Sequence, residues 1–500
     1  MGAGGVVCAS VEMVAAGGYG AEIDLQKVHT AYDGLPAHVI ACSETQERFM
    51  WIVPSSIAEM VVDHYNKTWD LPDVAKNAGA SIIGTVLTED RYTLLNNGEI
   101  VCNARPEDIT SGLLYDRPHT PRATNQTPAG IDLSEIEIKD AVIKVVGHEN
   151  VASRKPIYEN YDKDVQGITI IEAGEADAGM IAPLLNRFEL APLDRKVGIA
   201  LSVDANPRYG QISAYKQAEL AVVESMRNVA AVGATPWCIT DCLNYGSPEN
   251  PEQMQEIIDG IQGIKTALTS LPLKAKQDEP VPCISGNVSL YNFSKSRSVP
   301  ASAVIGMLGR IENYEKAIKL DIKPVASKIY LLGERKQELG GSVLFDALGK
   351  DISEGDLPTV DYQVIKSEIY TVIDAIDNEM LLACHDISDG GMITSILEMF
   401  FAGIEKSPNT EVGLDINIDI TKIGLTLAEI LFSETGGFIC QVKADRVTDF
   451  EELAASYKIT PRFLGDLKLN SSRAISINGI ALDINALHEI HDNSLREKLK

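Results

Sequence analysis

The sequence lacks an excess of basic residues and any long apolar run. Its 44 Lys and Arg residues face 71 Asp and Glu residues, and the formal net charge is −27. Nucleic-acid surfaces require clustered Lys and Arg, so this balance argues against nucleic-acid binding as the main activity. No apolar stretch approaches the ~20 residues that span a bilayer, and the N-terminus does not resemble a signal peptide. We therefore expect a soluble cytoplasmic protein without a membrane partner.

The common cysteine and catalytic motifs are also missing. Of the eight cysteines, only Cys238 and Cys242 lie close together, and their spacing is not the CxxC of metal sites. We interpret the cysteines as buried free thiols in a reducing compartment. The sequence contains no GxxxxGK[ST], HExxH or GxSxG pattern. The common nucleotide-binding and hydrolase motifs are therefore absent from the sequence.

An internal repeat is present instead. A Gly-Gly pair is followed by Glu-Met within Gly4–Met13 and again within Gly390–Met399. Ser-Glu-Thr precedes a strand-like run at Ser43–Thr45 and again at Ser433–Thr435. The offset between the copies changes only from 386 to 390 residues, which indicates a duplicated α+β domain.

The second copy has a complete pattern, in which a buried strand leads through the paired glycines into a helix. The helix carries one apolar face, formed by Ile393, Ile396, Leu397 and Phe400. In both copies we predict a strand after Ser-Glu-Thr. The position before Met1 would align with Asp386, so we expect the chain to be the C-terminal part of a longer protein.

A different domain separates the copies. A polar, Pro- and Thr-rich stretch begins a predicted linker at residues 116–149. Apolar spacing predicts a helix over residues 213–232. A second helix is predicted to start at Asn250 and Pro251, with Gln253 completing a capping box.

Oxygen-bearing side chains follow three predicted strands of this central domain. These side chains are Asp204 and Asn206, Asp241 and Asn244, and Asn287, Ser289 and Asn292. Carboxylate and amide oxygens at converging strand ends suit Mg²⁺. Asp and Asn also form ordinary turns at such places, and both interpretations stay open.

Two further polar groups have weaker signals. Glu44 and Gln46 are able to hydrogen-bond a polar ligand, although a solvated turn explains them equally well. Ser-Glu-Thr is shared by both copies and is interpreted as architectural, so Gln46 distinguishes the first copy. His385 precedes Asp386 in a predicted strand. Adjacent strand residues point to opposite faces, so we do not expect an acid–base pair there.

Four motifs carry a resemblance to a known family. They are GNVSLYN at 286–292, TDCLNYGSPENPE at 240–252, HDISDGG at 385–391 and SETQER at 43–48. Together they resemble the phosphoribosylformylglycinamidine synthase family, in its small form with a separate glutaminase, along nearly all of the chain. This family shares the α+β fold of aminoimidazole ribonucleotide synthetase.

The resemblance implies a domain organisation. Residues 1–115 are expected to be the remnant of a first C-terminal-type α+β domain, residues 150–315 a second N-terminal-type domain with the ATP site, and residues 325–490 a second C-terminal-type α+β domain. In the family, each N-terminal-type domain forms part of an inter-domain barrel.

The implied reaction is the fourth step of de novo purine biosynthesis. ATP activates the amide of formylglycinamide ribonucleotide, and ammonia from a partner glutaminase converts it to the amidine; a small accessory subunit completes the complex. Carried over by motif, the implied site residues are Asp241 and Gly286 for ATP, Asn287 for Mg²⁺, and Glu44, Thr45, Gln46 and Ser289 for the ribonucleotide.

Three departures from the family pattern are visible. Thr45 replaces a usual serine, and Ser285 replaces a frequent glycine. The family's catalytic histidine is expected in a segment before Met1, so none is assigned here and the isolated chain is expected to be inactive. A non-catalytic nucleotide-binding or assembly subunit of the same superfamily is the alternative. Single-half relatives such as selenophosphate synthetase are disfavoured by the two C-terminal-type copies.

Overall fold

The structure is a computed structural model that describes residues 1–111, 115–122, 133, 136–295, 297–350, 353–408, 411–469 and 473–500. The chain divides into two compact units, Met1–Asp116 and Arg117–Lys500. Among the described residues, no helix is both long enough and apolar enough to cross a bilayer.

The first unit is a small α+β layer around its own apolar core. Its helices are α1 (Gly5–Gly17), α2 (Ala37–Cys42), α3 (Ser55–Asp63), α4 (Leu71–Val74) and α5 (Pro106–Thr110). Its strands are β1 (Gly20–Asp24), β2 (Gly84–Leu87), β3 (Tyr92–Asn96) and β4 (Glu99–Ala104). They form one sheet in the order β2-β1-β3-β4, and α1 packs its buried Val6, Val11 and Val14 in the core of the unit.

The second unit contains two larger sheets and their helices. Its helices are α6 (Ile138–Val146), α7 (Lys155–Tyr158), α8 (Pro207–Gly210), α9 (Ala214–Ala231), α10 (Pro251–Ser270), α11 (Val343–Ala347), α12 (Tyr362–Asp377), α13 (Gly391–Lys406), α14 (Ile420–Ile423), α15 (Leu427–Phe432), α16 (Val447–Ser456) and α17 (Ile484–Lys498). Its strands are β5 (Thr169–Ile171), β6 (Gly179–Ile181), β7 (Gly198–Asp204), β8 (Thr235–Asn244), β9 (Pro272–Leu273), β10 (Lys276–Pro280), β11 (Cys283–Ser289), β12 (Phe293–Ser294), β13 (Arg297–Ser298), β14 (Ser302–Ile311), β15 (Ser327–Leu332), β16 (Leu381–Asp386), β17 (Val412–Ile416), β18 (Phe438–Lys443), β19 (Arg462–Leu469), β20 (Ala474–Ile477) and β21 (Ile480–Asp483).

A six-stranded sheet in the order β11-β8-β14-β7-β6-β5 forms the centre of this unit. Alternate residues of β14 are buried, because one face of the sheet packs in the same core as α9 and α10. Ser213 caps α9 by accepting from the Lys216 N–H, which confirms the predicted helix to within one residue at each end.

A seven-stranded sheet in the order β16-β18-β15-β19-β17-β20-β21 follows. Helix α13 starts at Gly391 after Gly390, and both glycines have positive φ. A β-carbon at Gly391 would lie 2.7 Å from the Phe432 carbonyl carbon, so the close approach requires glycine. The predicted apolar face of this helix is confirmed, since Ile393, Ile396 and Leu397 are buried.

The duplication is confirmed by strand pairing. β1 is antiparallel to β2 and parallel to β3, and β17 is likewise antiparallel to β19 and parallel to β20. Helix α1 also begins after two glycines of positive φ, Gly4 and Gly5. The sheet of the first unit therefore corresponds to β19-β17-β20-β21 of the second.

The strand predicted after the first Ser-Glu-Thr is wrong. Residues 48–54 form no strand, whereas the second copy forms β18 as predicted. β18 is held between β15 and β16. Within residues 1–111 the sheet contains only β2, β1, β3 and β4, and it has no strands that correspond to β15 and β16. The run from Phe49 to Val53 therefore has no strand to pair with.

Smaller differences concern the predicted linker and a helix cap. Part of the predicted linker 116–149 is helix α6, whose Val142 and Val145 are buried in the core, while residues 123–132 lie outside the described residues. Asn250 caps α10 as predicted. Gln253 does not complete a capping box, because its side chain accepts from the Ser247 N–H. The remaining domain boundaries stay predictions.

Candidate functional site

Three strands of the six-stranded sheet end at one edge. β14 is antiparallel to both β7 and β8, and β11 is parallel to β8. β7, β8 and β11 therefore run in the same direction. The oxygen-bearing strand ends predicted from the sequence all belong to this edge of the sheet.

The register aligns the acidic residues across the sheet. Asp241 pairs with Gly286 on one side and with Ile305 on the other, and Ile305 also pairs with Asp204. Neighbouring strands lie ~4.8 Å apart, so the backbone of Asp241 is about 5 Å from Gly286 and about 10 Å from Asp204. Asp241 and Gly286 are thus brought together, as the sequence predicted.

Gly286 leaves room for the Asp241 carboxylate. A β-carbon at this position would lie 2.7 Å from Asp241 Oδ1 and 2.8 Å from Oδ2. The Cys283 thiol donates to Asp241 Oδ2 at 3.3 Å. The carboxylate therefore lies directly over the backbone of the edge strand, and glycine is required there for space.

Asn287 and Ser289 lie one and three residues beyond Gly286, so both side chains are on the other face of β11. Asn287 pairs with Cys242, and its exposed amide Nδ2 is 3.9 Å from Cys242 Sγ. The Ser289 hydroxyl donates to Asn292 Oδ1 at 3.0 Å. Because neighbouring strand residues alternate faces, polar groups flank the free edge of β11 on both sides.

The first Ser-Glu-Thr lies in an exposed loop of the first unit. Glu44, Thr45 and Gln46 are exposed. The loop is fixed by the Thr45 N–H, which donates to the Met1 carbonyl at 3.1 Å, and by Arg48 Nη2, which donates to the Ser43 carbonyl at 2.7 Å. An approach of these three side chains to the sheet edge of the other unit stays a prediction.

The second Ser-Glu-Thr is buried and architectural. Glu434 Oε1 accepts from the N–H groups of Gly390 and Val343, each at 2.8 Å, and Oε2 accepts from the Tyr209 hydroxyl at 2.8 Å. Ser433 and Thr435 exchange a hydroxyl hydrogen bond at 2.7 Å. The same three residue types therefore hold loops together in one copy and face solvent in the other.

The sequence interpretation missed a buried ionic cluster on α9, at a cleft of about 700 Å³. Glu224 and Arg227 line the cleft, and Arg227 Nε lies 3.6 Å from Asp386 Oδ2. Both side chains lie next to the apolar face of α9. The apolar spacing predicted the helix but did not indicate that these charged neighbours are part of its packed face. The available signal was a pair of charged residues one turn apart beside buried Val223 and Met226.

The carboxyl groups around Arg227 have raised pKa values. Burial, together with the neighbouring carboxylates Asp389 and Asp386, raises the pKa of Asp204 to about 8. Burial and repulsion from Asp177 raise the pKa of Asp386 to about 7. These groups therefore retain protons near neutral pH, where exposed carboxyl groups are fully ionised.

His385 is held between two carboxylates. Its Nδ1 lies 2.6 Å from Asp177 Oδ1 and its Nε2 lies 2.9 Å from Glu398 Oε2, whereas Asp386 Oδ1 is 3.9 Å away. Burial lowers the pKa of His385, but the carboxylates Asp177 and Glu398 outweigh burial and raise it well above its usual value. Atoms of Asp177, His385 and Asp386 also lie within 4.8 Å of one another.

Known families match most of the chain. Residues 176–311 match the AIR synthase related protein N-terminal domain. Residues 1–95 and 327–467 both match the AIR synthase related protein C-terminal domain, which independently shows the duplication.

Curated relatives are similar to this chain over nearly its whole length. Phosphoribosylformylglycinamidine synthase subunit PurL of Methanothrix thermoacetophila is 40% identical over 504 residues, covering 100% of this chain and 63% of the relative. The same subunit of Bartonella quintana is 30% identical and is covered to 61% of its length. The chain thus spans less than two thirds of these relatives.

Solved structures agree on the fold. Thermotoga maritima PurL complexed with ATP has a TM-score of 0.59 at 20% identity, covering 93% of this chain and 62% of that protein. The PurLQS structure from the same organism has a TM-score of 0.61 at 19% identity, with 93% and 63% covered. The fold, the repeated domain and the relatives agree, and the chain belongs to the AIR synthase related proteins, within the phosphoribosylformylglycinamidine synthase PurL family.

Proposed function

We propose that this chain carries the second N-terminal-type domain and both C-terminal-type domains of a phosphoribosylformylglycinamidine synthase. The reaction is the ATP-dependent conversion of formylglycinamide ribonucleotide and glutamine-derived ammonia to formylglycinamidine ribonucleotide. The observation that carries this proposal is the pairing of Asp241 on β8 with Gly286 on the edge strand β11. Asn287 and Ser289 follow Gly286 along the same strand. The Thermotoga relative has been solved with ATP and with FGAR, which supports the proposal.

The residues at the sheet edge suit a magnesium-bound nucleotide. Gly286 keeps the backbone of the edge strand free of a side chain beside the Asp241 carboxylate. Asn287 offers an exposed amide oxygen, a hard donor of the kind that Mg²⁺ prefers. In this proposal Asp241 and Gly286 contact ATP, and Asn287 holds Mg²⁺. When bound, ATP would supply the phosphoryl group and Mg²⁺ would neutralise the negative charge of that group.

The ribonucleotide is assigned to residues in both units. Ser289 presents a hydroxyl beside Asn287, and Asn292 orients this hydroxyl while its own amide donates to the Tyr245 carbonyl at 3.1 Å. In the first unit, Glu44, Thr45 and Gln46 are exposed and free of the buried contacts that occupy their second-copy counterparts. We assign these three side chains to the same ribonucleotide.

The proposal assigns the catalytic histidine to polypeptide outside these 500 residues. The histidine of the HDISDGG motif, His385, is buried and has both ring nitrogens within 3 Å of a carboxylate oxygen, so neither nitrogen is directed at a substrate. A glutaminase and a small accessory subunit are proposed as partners, in line with the PurLQS assembly of Thermotoga maritima.

Complementation tests the proposal. The chain is combined with the part of the Methanothrix relative that it does not span, and ADP formation is measured with formylglycinamide ribonucleotide and ammonia, so that no glutaminase is needed. We expect turnover from the mixture and none from the chain alone. Asn287→Ala should abolish turnover, while the exposed Asn493→Ala, a matched substitution on α17, should leave it unchanged.

Each result separates the alternatives. Turnover by the chain alone would contradict the assignment of the catalytic histidine. Full activity of Asn287→Ala would exclude its role as a metal ligand. Nucleotide binding without turnover in the mixture would favour the alternative of a non-catalytic nucleotide-binding subunit.

A further inference from the structure

A group of three side chains joins α13 and α17 on the surface of the second unit. Glu405 belongs to α13, whereas His488 and Asp492 lie one turn apart on α17. These three residues are named the α13–α17 site. The proposed reaction does not use them.

The ligand atoms of this site have the spacing of a metal centre. His488 Nε2 lies 3.2 Å from Glu405 Oε1 and 3.6 Å from Asp492 Oδ2. Ligands at 2.0–2.2 Å around a tetrahedral Zn²⁺ are about 3.3–3.6 Å from one another. All three ligand atoms lie within 4.8 Å of each other. A small shift of the Glu405 and Asp492 side chains would complete three corners of a tetrahedron.

A cation already occupies the edge of this site. The Lys155 ammonium contacts Glu405 Oε1 and lies 3.6 Å from Asp492 Oδ1. Asp492 Oδ1 is buried and makes no hydrogen bond among the described residues. The two carboxylates therefore already attract one positive charge, the Lys155 ammonium, with which a metal ion would compete.

The imidazole of His488 is held in position by its surroundings. The ring of Phe401, which is buried, stacks on His488 with centroids 5.1 Å apart and an interplanar angle of 27°. Phe401 also contacts the His491 ring at 5.2 Å, and His491 Nδ1 lies 3.9 Å from Asp492 Oδ1. Fixed ligand orientation by outer residues is a general feature of metal sites.

We propose that Glu405, His488 and Asp492 bind one divalent transition-metal ion of the Zn²⁺ class, which displaces Lys155 and joins α17 to α13. One imidazole and two carboxylates suit Zn²⁺ better than Mg²⁺, which prefers oxygen ligands only. Three protein ligands leave a fourth position for water. The proposal is independent of the synthase activity.

Zinc binding by the full chain tests the proposal. The metal-free protein is titrated with Zn²⁺ alone at pH 7.5, and affinity and stoichiometry are measured by calorimetry. We expect one ion per chain at this site. His488→Ala should lose it or weaken binding by at least about tenfold. Lys155→Ala should tighten binding by about two- to fivefold, because a competing positive charge is removed.

Controls distinguish the site from non-specific binding. His38→Ala removes an exposed histidine of the first unit and should leave the affinity unchanged. His488→Gln keeps the size of the side chain, so that lost binding in a folded variant is attributable to the imidazole. Co²⁺ should give the visible spectrum of a tetrahedral centre in the wild type only. Equal Zn²⁺ affinity in the wild type and His488→Gln would overturn the proposal, as would a Lys155→Ala variant with weaker binding.

Discussion

At the scale of single residues, Gly286 is required because of the space it leaves beside Asp241. We predict that Gly286→Ala weakens Mg²⁺-ATP binding by the complemented chain at least about tenfold, since the new methyl group would displace a carboxylate that lies 2.7 Å from its position. The fold should be retained, because β11 is an exposed edge strand. Nucleotide titration and circular dichroism measure the two effects.

A neighbouring substitution provides the control. Ser285→Ala alters the same exposed strand next to Gly286 and should leave nucleotide affinity within about twofold, because surface substitutions usually change little. An equal loss of affinity in both variants would indicate general damage to β11. Unchanged affinity in Gly286→Ala would remove Asp241 from the nucleotide site.

Glu368 is a second informative residue because it is buried beside two arginines. Burial raises its pKa to about 7, against the opposing effect of Arg227 and Arg335. The folded state therefore binds this proton more tightly than the unfolded state, whose ordinary value is 4.5. The protonated carboxyl group therefore stabilises the folded state by up to about 3 kcal/mol. This stabilisation is fully present below pH ~4.5 and is lost as the pH rises through ~7.

We predict that Glu368→Gln reduces this pH dependence. Between pH 4.5 and 8, the free energy of unfolding measured by urea denaturation should fall less steeply with pH in the variant than in the wild type. The difference in slope should correspond to up to about one bound proton. Exposed Glu452→Gln should keep the wild-type slope. A Glu368→Gln variant with the wild-type slope would contradict the raised pKa.

At the scale of elements, the two copies of one segment differ in their neighbours. Phe438 begins β18 and is fully buried between two strands, whereas Phe49 in the unpaired first copy is 76% exposed. We predict that Phe438→Ala destabilises the protein by about 3–5 kcal/mol. Phe49→Ala should cost less than about 0.5 kcal/mol. Urea denaturation of the two variants, followed separately for each unit, measures both values.

The outcome for Phe49 decides a structural question. A cost near that of Phe438→Ala would mean that the first copy is packed in solution and that its run is a strand after all. A small cost together with a normal cost at Phe438 would support the difference between the copies.

This segment also shows how far the sequence alone leads. Repeated glycines, Ser-Glu-Thr and helical apolar spacing predicted the duplication, α9, α13 and β18, because these depend on local residue pattern. The pattern could not show that the first run lacks neighbouring strands, since strand formation depends on pairing. The oxygen-bearing strand ends at Asp204, Asp241 and Asn287 were predicted to converge from their position in the sequence. The roles of Asp241, Gly286, Asn287 and Ser289 came from the motif resemblance. Glu224 and Arg227 were missed, because burial of a charged pair depends on the tertiary partner Asp386.

At the scale of the whole molecule, one face of the six-stranded sheet carries several exposed apolar side chains. Residues on this face include Ile181, Leu201, Val203 and Trp237, all of which are at least 40% exposed. Contiguous apolar surface on a sheet marks a docking site. The family resemblance implies an inter-domain barrel, so we expect this face to pack against the other N-terminal-type domain of the synthase.

We therefore predict that the double substitution Leu201→Lys and Val203→Lys prevents complementation without unfolding the chain. The two side chains are 55% and 67% exposed, so each lysine should cost the isolated chain no more than about 0.5 kcal/mol. In the assembled protein, the same lysines would be buried without partners, which costs several kcal/mol per charge. Pull-down of the complementing polypeptide and ADP formation should both be lost, while Ile261→Lys on the exposed face of α10 should affect neither. Normal association of the double variant would show that the complementing domain docks elsewhere on the chain.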